Sequence, residues 1–389
     1  MVEREQRVTP LELFFDLVFV FALTQVTTVL AEDPTWAGIG RALLLLTALW
    51  WVWAAFAWLT NAFDADAGGL PAAMVVAMAA MFVAALAVPE AFGSHGVVFG
   101  VAFLVVNVMY LTLYALQARG EDELFRAILR IVPSTLVGAG LIVGAGFAHG
   151  VARPALWVVA LAVGLFGPLL AGTSGFRVEP AHFVERHGLI VIIAIGESLV
   201  AIGVAARDTR LTASVIAAAV LGLLVATAFW LAYFDFFTIR AQQLLTDRRG
   251  LERTALARDV YTYLHLPMVS GIVLFAFAMK TTLAHVGAEL DTISALALCG
   301  GSALYLLAYV ALRLRVSRTV GGGRLVASIA FALLIPVAVV VPALAALVLV
   351  AAVWLGLHGY ELIWWREARA QARALRLGTP AAPETPGAE

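Results

Sequence analysis

Carboxylates inside long apolar runs are the residues of this chain best placed to do chemistry. Glu197 stands in Gly196-Glu197-Ser198, well inside an apolar run that opens near Glu185. At 1.5 Å per residue it falls about 18 Å into a helix, past the centre of a hydrocarbon layer about 30 Å thick. No sequence neighbour carries a charge that would neutralise it there. Gly196 allows close backbone approach and Ser198 supplies a hydroxyl, surroundings that tolerate a carboxylate in either protonation state. An ionisable side chain at such depth costs roughly 2.5–3.5 kcal/mol on insertion scales, so it marks either function or structural pairing. Glu197 is therefore the first candidate for a proton- or cation-coupling group, the alternative being a permanently protonated glutamate that only packs.

Two more carboxylates, Glu12 and Asp16, share a helix face at a spacing of four, about 6 Å apart. In a low dielectric such a pair holds a shared proton or demands a cation, and Arg186, near the start of a later apolar run, is the cation on offer. Thr9-Pro10-Leu11-Glu12 also reads as a helix N-cap, a proline at the first helical position and a capping-box glutamate. Glu12 thus has a structural reading beside the coupling one, and Asp16 is equally an ion-pair partner or a proton site. His265 precedes Leu266-Pro267, and Pro267, with no amide hydrogen, leaves the Tyr263 carbonyl without its helical donor. A histidine beside a helix break is a candidate proton carrier or a packing residue. Glu185, Arg186, His265, Asp64 and Asp235 form the candidate gate or relay, and Ser198, Gln25 and Tyr263 the candidate substrate-binding set. For Asp64 and Asp235, pairing with arginines of nearby loops is the default.

Enzyme signatures are absent. His182-Phe183-Val184-Glu185-Arg186-His187 is neither HExxH nor HxxEH, and its two histidines lie about 140° apart on a helix. No GxSxG, P-loop or dinucleotide fingerprint occurs. The lone Cys299 excludes an intramolecular disulfide and a cysteine-rich metal cage, so no metal or cofactor is expected. Gly140 and Gly144 make a GxxxG packing motif.

The elements that must position these groups follow from composition. The 389 residues are 62% hydrophobic and 13% charged, against about 25% charged in a soluble domain. A mean hydropathy of +0.96 therefore excludes a soluble globular enzyme. Apolar runs predict twelve spans, at 11–30, 39–59, 71–88, 97–116, 125–147, 154–171, 185–206, 212–239, 261–283, 293–312, 325–341 and 343–364. With this count, all of the 25 lysines and arginines except Arg41, Arg153, Arg207, Arg210 and Lys280 fall on the side of the N-terminus. By the positive-inside rule both termini are cytoplasmic. The first run carries Glu12 and Asp16 and lacks a small-residue cleavage site, so it is a helix rather than a signal peptide. Residues 371–389, rich in Ala, Pro and Glu, predict a disordered cytoplasmic tail. The lipid bilayer is the expected environment, and no basic face supports a nucleic-acid partner.

The chain also resembles itself. Glu12 and Glu185 each open a long apolar helix, and at nearly equal distances the next helix ends in an aromatic-Asp pair, Phe63-Asp64 and Phe234-Asp235. Tyr110 and Tyr114 recur as Tyr305 and Tyr309. These matches predict two tandem six-helix repeats, residues 1–171 and 172–370, in parallel orientation because each contains an even number of spans. Loose alignment of any two apolar helical strings is the alternative.

Several of these motifs also resemble a known family. The run Leu11-Glu12-Leu13-Phe14-Phe15-Asp16-Leu17-Val18-Phe19-Val20 is similar to the opening signature of the bacterial low temperature requirement protein A family. Glu185-Arg186-His187-Gly188-Leu189, Gly196-Glu197-Ser198, Tyr233-Phe234-Asp235 and His265-Leu266-Pro267 resemble further stretches of it. The resemblance runs from about Val8 to Trp365 and implies a multi-pass bacterial inner-membrane protein; it brings no residue roles with it. The expected function is proton- or cation-coupled secondary transport of an unknown small molecule or ion. The alternatives are a membrane-embedded enzyme on lipid or isoprenoid substrates and a structural or signalling membrane protein.

Overall fold

The computed structural model describes residues 7–207, 209–235 and 237–364, with backbone alone at 237–240. The expected tail at 371–389 lies outside the described residues, as do Arg4, Arg366, Arg369, Arg373 and Arg376. Thirteen helices account for almost all of the described chain. They are α1 (Pro10–Glu32), α2 (Trp36–Ala62), α3 (Leu70–Glu90), α4 (Gly96–Gln117), α5 (Asp122–Phe147), α6 (Ala152–Ala171) and α7 (Pro180–Arg207). There follow α8 (Ala213–Phe234), the short α9 (Phe237–Asp247), α10 (Gly250–Ala284), α11 (Thr292–Ser317), α12 (Gly322–Ala338) and α13 (Ala343–Trp364). Eleven are long and apolar enough to cross a membrane. The twelfth expected span, α12, has 17 residues, about 26 Å of helix. Among the described residues there is no strand.

Local chemistry sets the helix ends. The Thr9 hydroxyl accepts the Glu12 amide while the Glu12 carboxylate accepts the Thr9 amide, and Pro10 opens α1. At the α1–α2 turn only glycine fits at position 38, because a Cβ there would lie 1.9 Å from the Asp33 carbonyl oxygen. Helix α7 starts at Pro180 rather than near Glu185. Asn61, in the last turn of α2, accepts the Glu179 amide at 2.9 Å and donates to the Glu179 carbonyl at 3.0 Å, anchoring that earlier start. Helix α8 stops at Phe234, with Asp235 as its C-cap, short of the expected residue 239. Helix α10 begins at Gly250 and contains a π-helical stretch, Arg258–Tyr263.

Neighbouring spans pack in sequence, α3 on α4, α4 on α5 and α5 on α6, then α10 on α11, α11 on α12 and α12 on α13. Contact between the amino- and carboxy-terminal sets runs through α1 and α2 against α7 and α10. Helices α2, α10 and α11 each bury 72% of their most apolar stretch and α6 only 17%, so the first three lie in the interior of the bundle and α6 on its outside. Gly140 and Gly144 have open space where a Cβ would stand, so the expected GxxxG contact does not form. Helix α5 turns a different face to α4, where a Cβ on Gly100 would meet the Val143 backbone at 2.8 Å.

Candidate functional site

Helices α1 and α7 cross along a line of polar residues that gather into two clusters with an apolar plug between them. The first cluster forms around Arg186, which is wholly buried. Its Nη1 donates to Asp16 Oδ2 at 2.9 Å and its Nε lies 3.5 Å from Glu12 Oε1. The Trp53 indole N–H donates to Asp16 Oδ1 at 2.8 Å. His182, one turn before Arg186, faces Glu12 Oε2 at 3.1 Å. Its tautomer follows from Asn61. The two bonds to Glu179 orient that amide so that Nδ2 donates to His182 Nδ1 at 3.1 Å, leaving the proton on Nε2 to donate to Glu12. The Thr60 hydroxyl adds a hydrogen bond to Glu12. Apart from that hydroxyl, every partner of these two carboxylates is fixed as a donor.

The plug includes Phe19, Leu23, Ile190 and Ala194, all buried. Beyond it lies Glu197, 1% exposed. With α7 starting at Pro180, Glu197 is about 25 Å from that end instead of about 18 Å, while its distance from the far end, about 15 Å, is close to that expected. Its hydroxyl partners are Thr24 and Thr27 of α1. Thr24 Oγ1 lies 2.6 Å from Glu197 Oε2 and 3.2 Å from the Val20 carbonyl. Thr27 Oγ1 lies 3.0 Å from Glu197 Oε1 and 2.8 Å from the Thr24 carbonyl. Each hydroxyl has one proton and two acceptors, so it can serve either the carboxylate or the backbone. Glu197 also has a cation, contrary to the sequence expectation. Lys280, near the end of α10, donates to Thr27 Oγ1 at 3.4 Å and interacts electrostatically with Glu197.

The other candidates are scattered. Ser198 is buried, and its hydroxyl has no hydrogen-bond partner among the described residues, so it is not the hydroxyl that serves Glu197. Gln25 is half-buried on α1 without a hydrogen bond to Glu197. Glu185 is exposed and accepts the Val8 amide at 3.2 Å, standing outside the Arg186 cluster. Asp64, also exposed, accepts the Asp66 amide at 3.0 Å and makes no ion pair among the described residues, against the default of an arginine partner. Asp235 caps α8 through its amide, which donates to the Leu231 carbonyl at 3.1 Å. His265 is wholly buried, with Nδ1 donating to the Val260 carbonyl and Nε2 accepting from the Tyr233 hydroxyl, both at 2.9 Å. The carbonyl captured at this break is that of Thr262, which accepts the Trp50 indole N–H at 2.8 Å; the irregularity begins ahead of Pro267. The Tyr263 hydroxyl donates to the Leu165 carbonyl at 2.5 Å, away from Glu197.

A further ion pair, with Arg324 buried and Glu361 half-buried, went unread in the sequence, where Arg324 counted as a loop residue. Its Nε donates to Glu361 Oε1 at 2.6 Å, its guanidinium lies 3.7 Å from the Tyr309 ring centre, and Nη1 donates to the Ala232 carbonyl at 3.0 Å. It joins α12, α13, α11 and α8. Among the described residues no three His, Cys, Asp or Glu side chains converge on a point where a metal would sit.

The model of the bacterial low temperature requirement A protein family matches residues 7–358. The chain belongs to that family. The match takes in α1 to all but the last six residues of α13, and so both clusters on the α1–α7 line. An uncharacterized protein of Rhizobium meliloti (strain 1021) is 34% identical over 307 residues, covering 76% of this chain and 74% of the relative. No solved structure matches the chain. Family membership and the eleven spanning helices together make this member an integral, multi-pass membrane protein.

Proposed function

We propose that this protein is a proton-coupled secondary transporter of a small molecule or ion in the bacterial inner membrane, with Glu197 as its coupling carboxylate. One observation carries the reading. Because the Thr24 and Thr27 hydroxyls each reach both Glu197 and a backbone carbonyl, Glu197 is hydrogen-bonded whether ionised or protonated, with no heavy atom displaced. Ionised, it accepts both hydroxyl protons and faces Lys280 across Thr27. Protonated, it donates to one hydroxyl while that hydroxyl turns to its carbonyl. A group that exchanges a proton during each cycle needs this tolerance, since an unpaired buried polar atom costs about 1–3 kcal/mol.

In this reading the chain consists of two parallel six-helix repeats, residues 1–171 and 172–370, with both termini on the cytoplasmic side. The order of packing supports it, since α1–α6 and α7, α8, α10, α11, α12, α13 follow the same neighbour sequence. So does one contact. Thr24 and Glu197 are separated by 173 residues, the offset that aligns Glu12 with Glu185, so equivalent positions of the two repeats meet where their first helices cross. Glu12, Asp16, Arg186 and His182 then act as a static clasp between repeats rather than as a relay.

Thiol accessibility tests the reading. With Cys299 replaced, Ile193→Cys and Ala201→Cys flank Glu197 on α7. Labelling of either by an impermeant thiol reagent, with a rate that changes when a pH gradient is imposed across proteoliposomes, is the expected result. A folded protein labelled from neither side at any pH would overturn it.

A further inference from the structure

A cleft lies away from Glu197, among α2, α4, α5, α6 and the π-helical stretch of α10. Its empty space, counted into the open solvent at its mouth, is about 660 Å³. Its walls are aromatic, chiefly Trp51, Trp58, Phe176 and Tyr263. Their polar edges are largely occupied by the protein itself. The Trp58 indole N–H donates to Thr262 Oγ1 at 2.9 Å and the Tyr263 hydroxyl to Leu165, so the walls offer ring faces to whatever enters.

Polar groups left over stand at opposite ends of the cleft. At its mouth, Arg258 directs Nε and Nη2 to Asp259 Oδ1 at 2.9 and 2.8 Å. Nη1 makes no hydrogen bond among the described residues. Asp259 is also held by Arg315 at 2.9 Å, so two guanidiniums share one carboxylate and the mouth carries net positive charge. At the floor, Asn107 is only 3% exposed. Its Nδ2 donates to the Phe103 carbonyl at 2.8 Å, while Oδ1 accepts nothing among the described residues. Thr135 stands beside it, its hydroxyl likewise without a bond. Both also line a narrower extension of the cleft between Phe103 and Leu161. An acceptor and a hydroxyl left open in such a place match a ligand group that both donates and accepts.

We infer that the cleft binds an aromatic carboxylate bearing a hydroxyl at the far end of its ring, the carboxylate at Arg258, the ring between the indoles and the hydroxyl at Asn107 and Thr135. Glu197 does not line the cleft, so this assignment stands whether or not the coupling reading does.

Calorimetric titration of the purified full chain in detergent, with 4-hydroxycinnamate as the probe, tests it. Saturable binding is expected, about tenfold weaker for cinnamate and for 4-hydroxystyrene, each of which lacks one polar end. Asn107→Leu should erase the preference for the ring hydroxyl and keep that for the carboxylate; Arg258→Gln should do the reverse. Saturable binding with preferences that neither variant alters would overturn the assignment, as would no binding to a folded protein. Displacement of the probe by oleate or phosphatidylglycerol at lower concentration would also overturn it, making the occupant a lipid.

Discussion

Two carboxylate sites share the α1–α7 crossing, and the difference between them lies in their partners. Glu12 and Asp16 are met by an arginine, an indole N–H, a backbone amide and a histidine whose tautomer is set by Asn61. None of these can turn around and accept a proton; the Thr60 hydroxyl, which adds to the fixed donors of Glu12, can, but Asp16 has no such partner. Glu197 is met by two hydroxyls that can. Burial is nearly equal at the two sites, so depth in the protein does not separate a structural carboxylate from a working one. Reversibility of the partners does.

Breaking the clasp should show the contrast at its largest. Arg186→Gln strands two buried carboxylates and should lower unfolding stability in detergent by about 3–5 kcal/mol, read by chemical denaturation; a loss below 1 kcal/mol would remove the structural role. Trp53→Phe deletes one fixed donor to Asp16 and should cost about 1–3 kcal/mol in the same assay. Thr24→Val, which removes a reversible donor from Glu197, should cost about 1 kcal/mol and impair any proton-driven uptake more than it impairs folding. Glu197→Gln keeps two hydrogen bonds, so its stability should stay within about 1 kcal/mol of the parent while proton-driven uptake in proteoliposomes disappears. A collapse as large as that of Arg186→Gln would erase the distinction between the sites. Glu185→Gln, on an exposed side chain, should change stability by less than about 0.5 kcal/mol.

Much of the scaffold was legible in the sequence. Long apolar runs gave the spans, Thr9-Pro10-Leu11-Glu12 gave the start of α1, and the Glu12–Asp16 spacing pointed to Arg186. Legibility ended at rotation about the helix axis. Glu185 and Arg186 are adjacent, yet a turn of about 100° sends one to solvent and the other to the core, with His182 taking the inward place expected of Glu185. Thr24 and Thr27 looked like ordinary helical threonines because back-bonding to the preceding turn is silent in sequence. Lys280 and Arg324 read as end and loop residues because a cation near a span end can snorkel outward. Only the packing of α10 on α7, and of α12 on α13, turns them inward.

The π-helical stretch Arg258–Tyr263 carries a consequence for variation in chain length. A π turn is in effect one residue more than an α-helix needs. At its start Arg258 meets the aromatic cleft; just beyond its end His265 meets Tyr233. Removing a single residue there would restore a plain α-helix and rotate one of these groups by about 100° relative to the other. Substitutions in this stretch are therefore a matter of side chains, but a one-residue deletion is a change of phase between two distant sites, and homologues that keep both must keep the count between them.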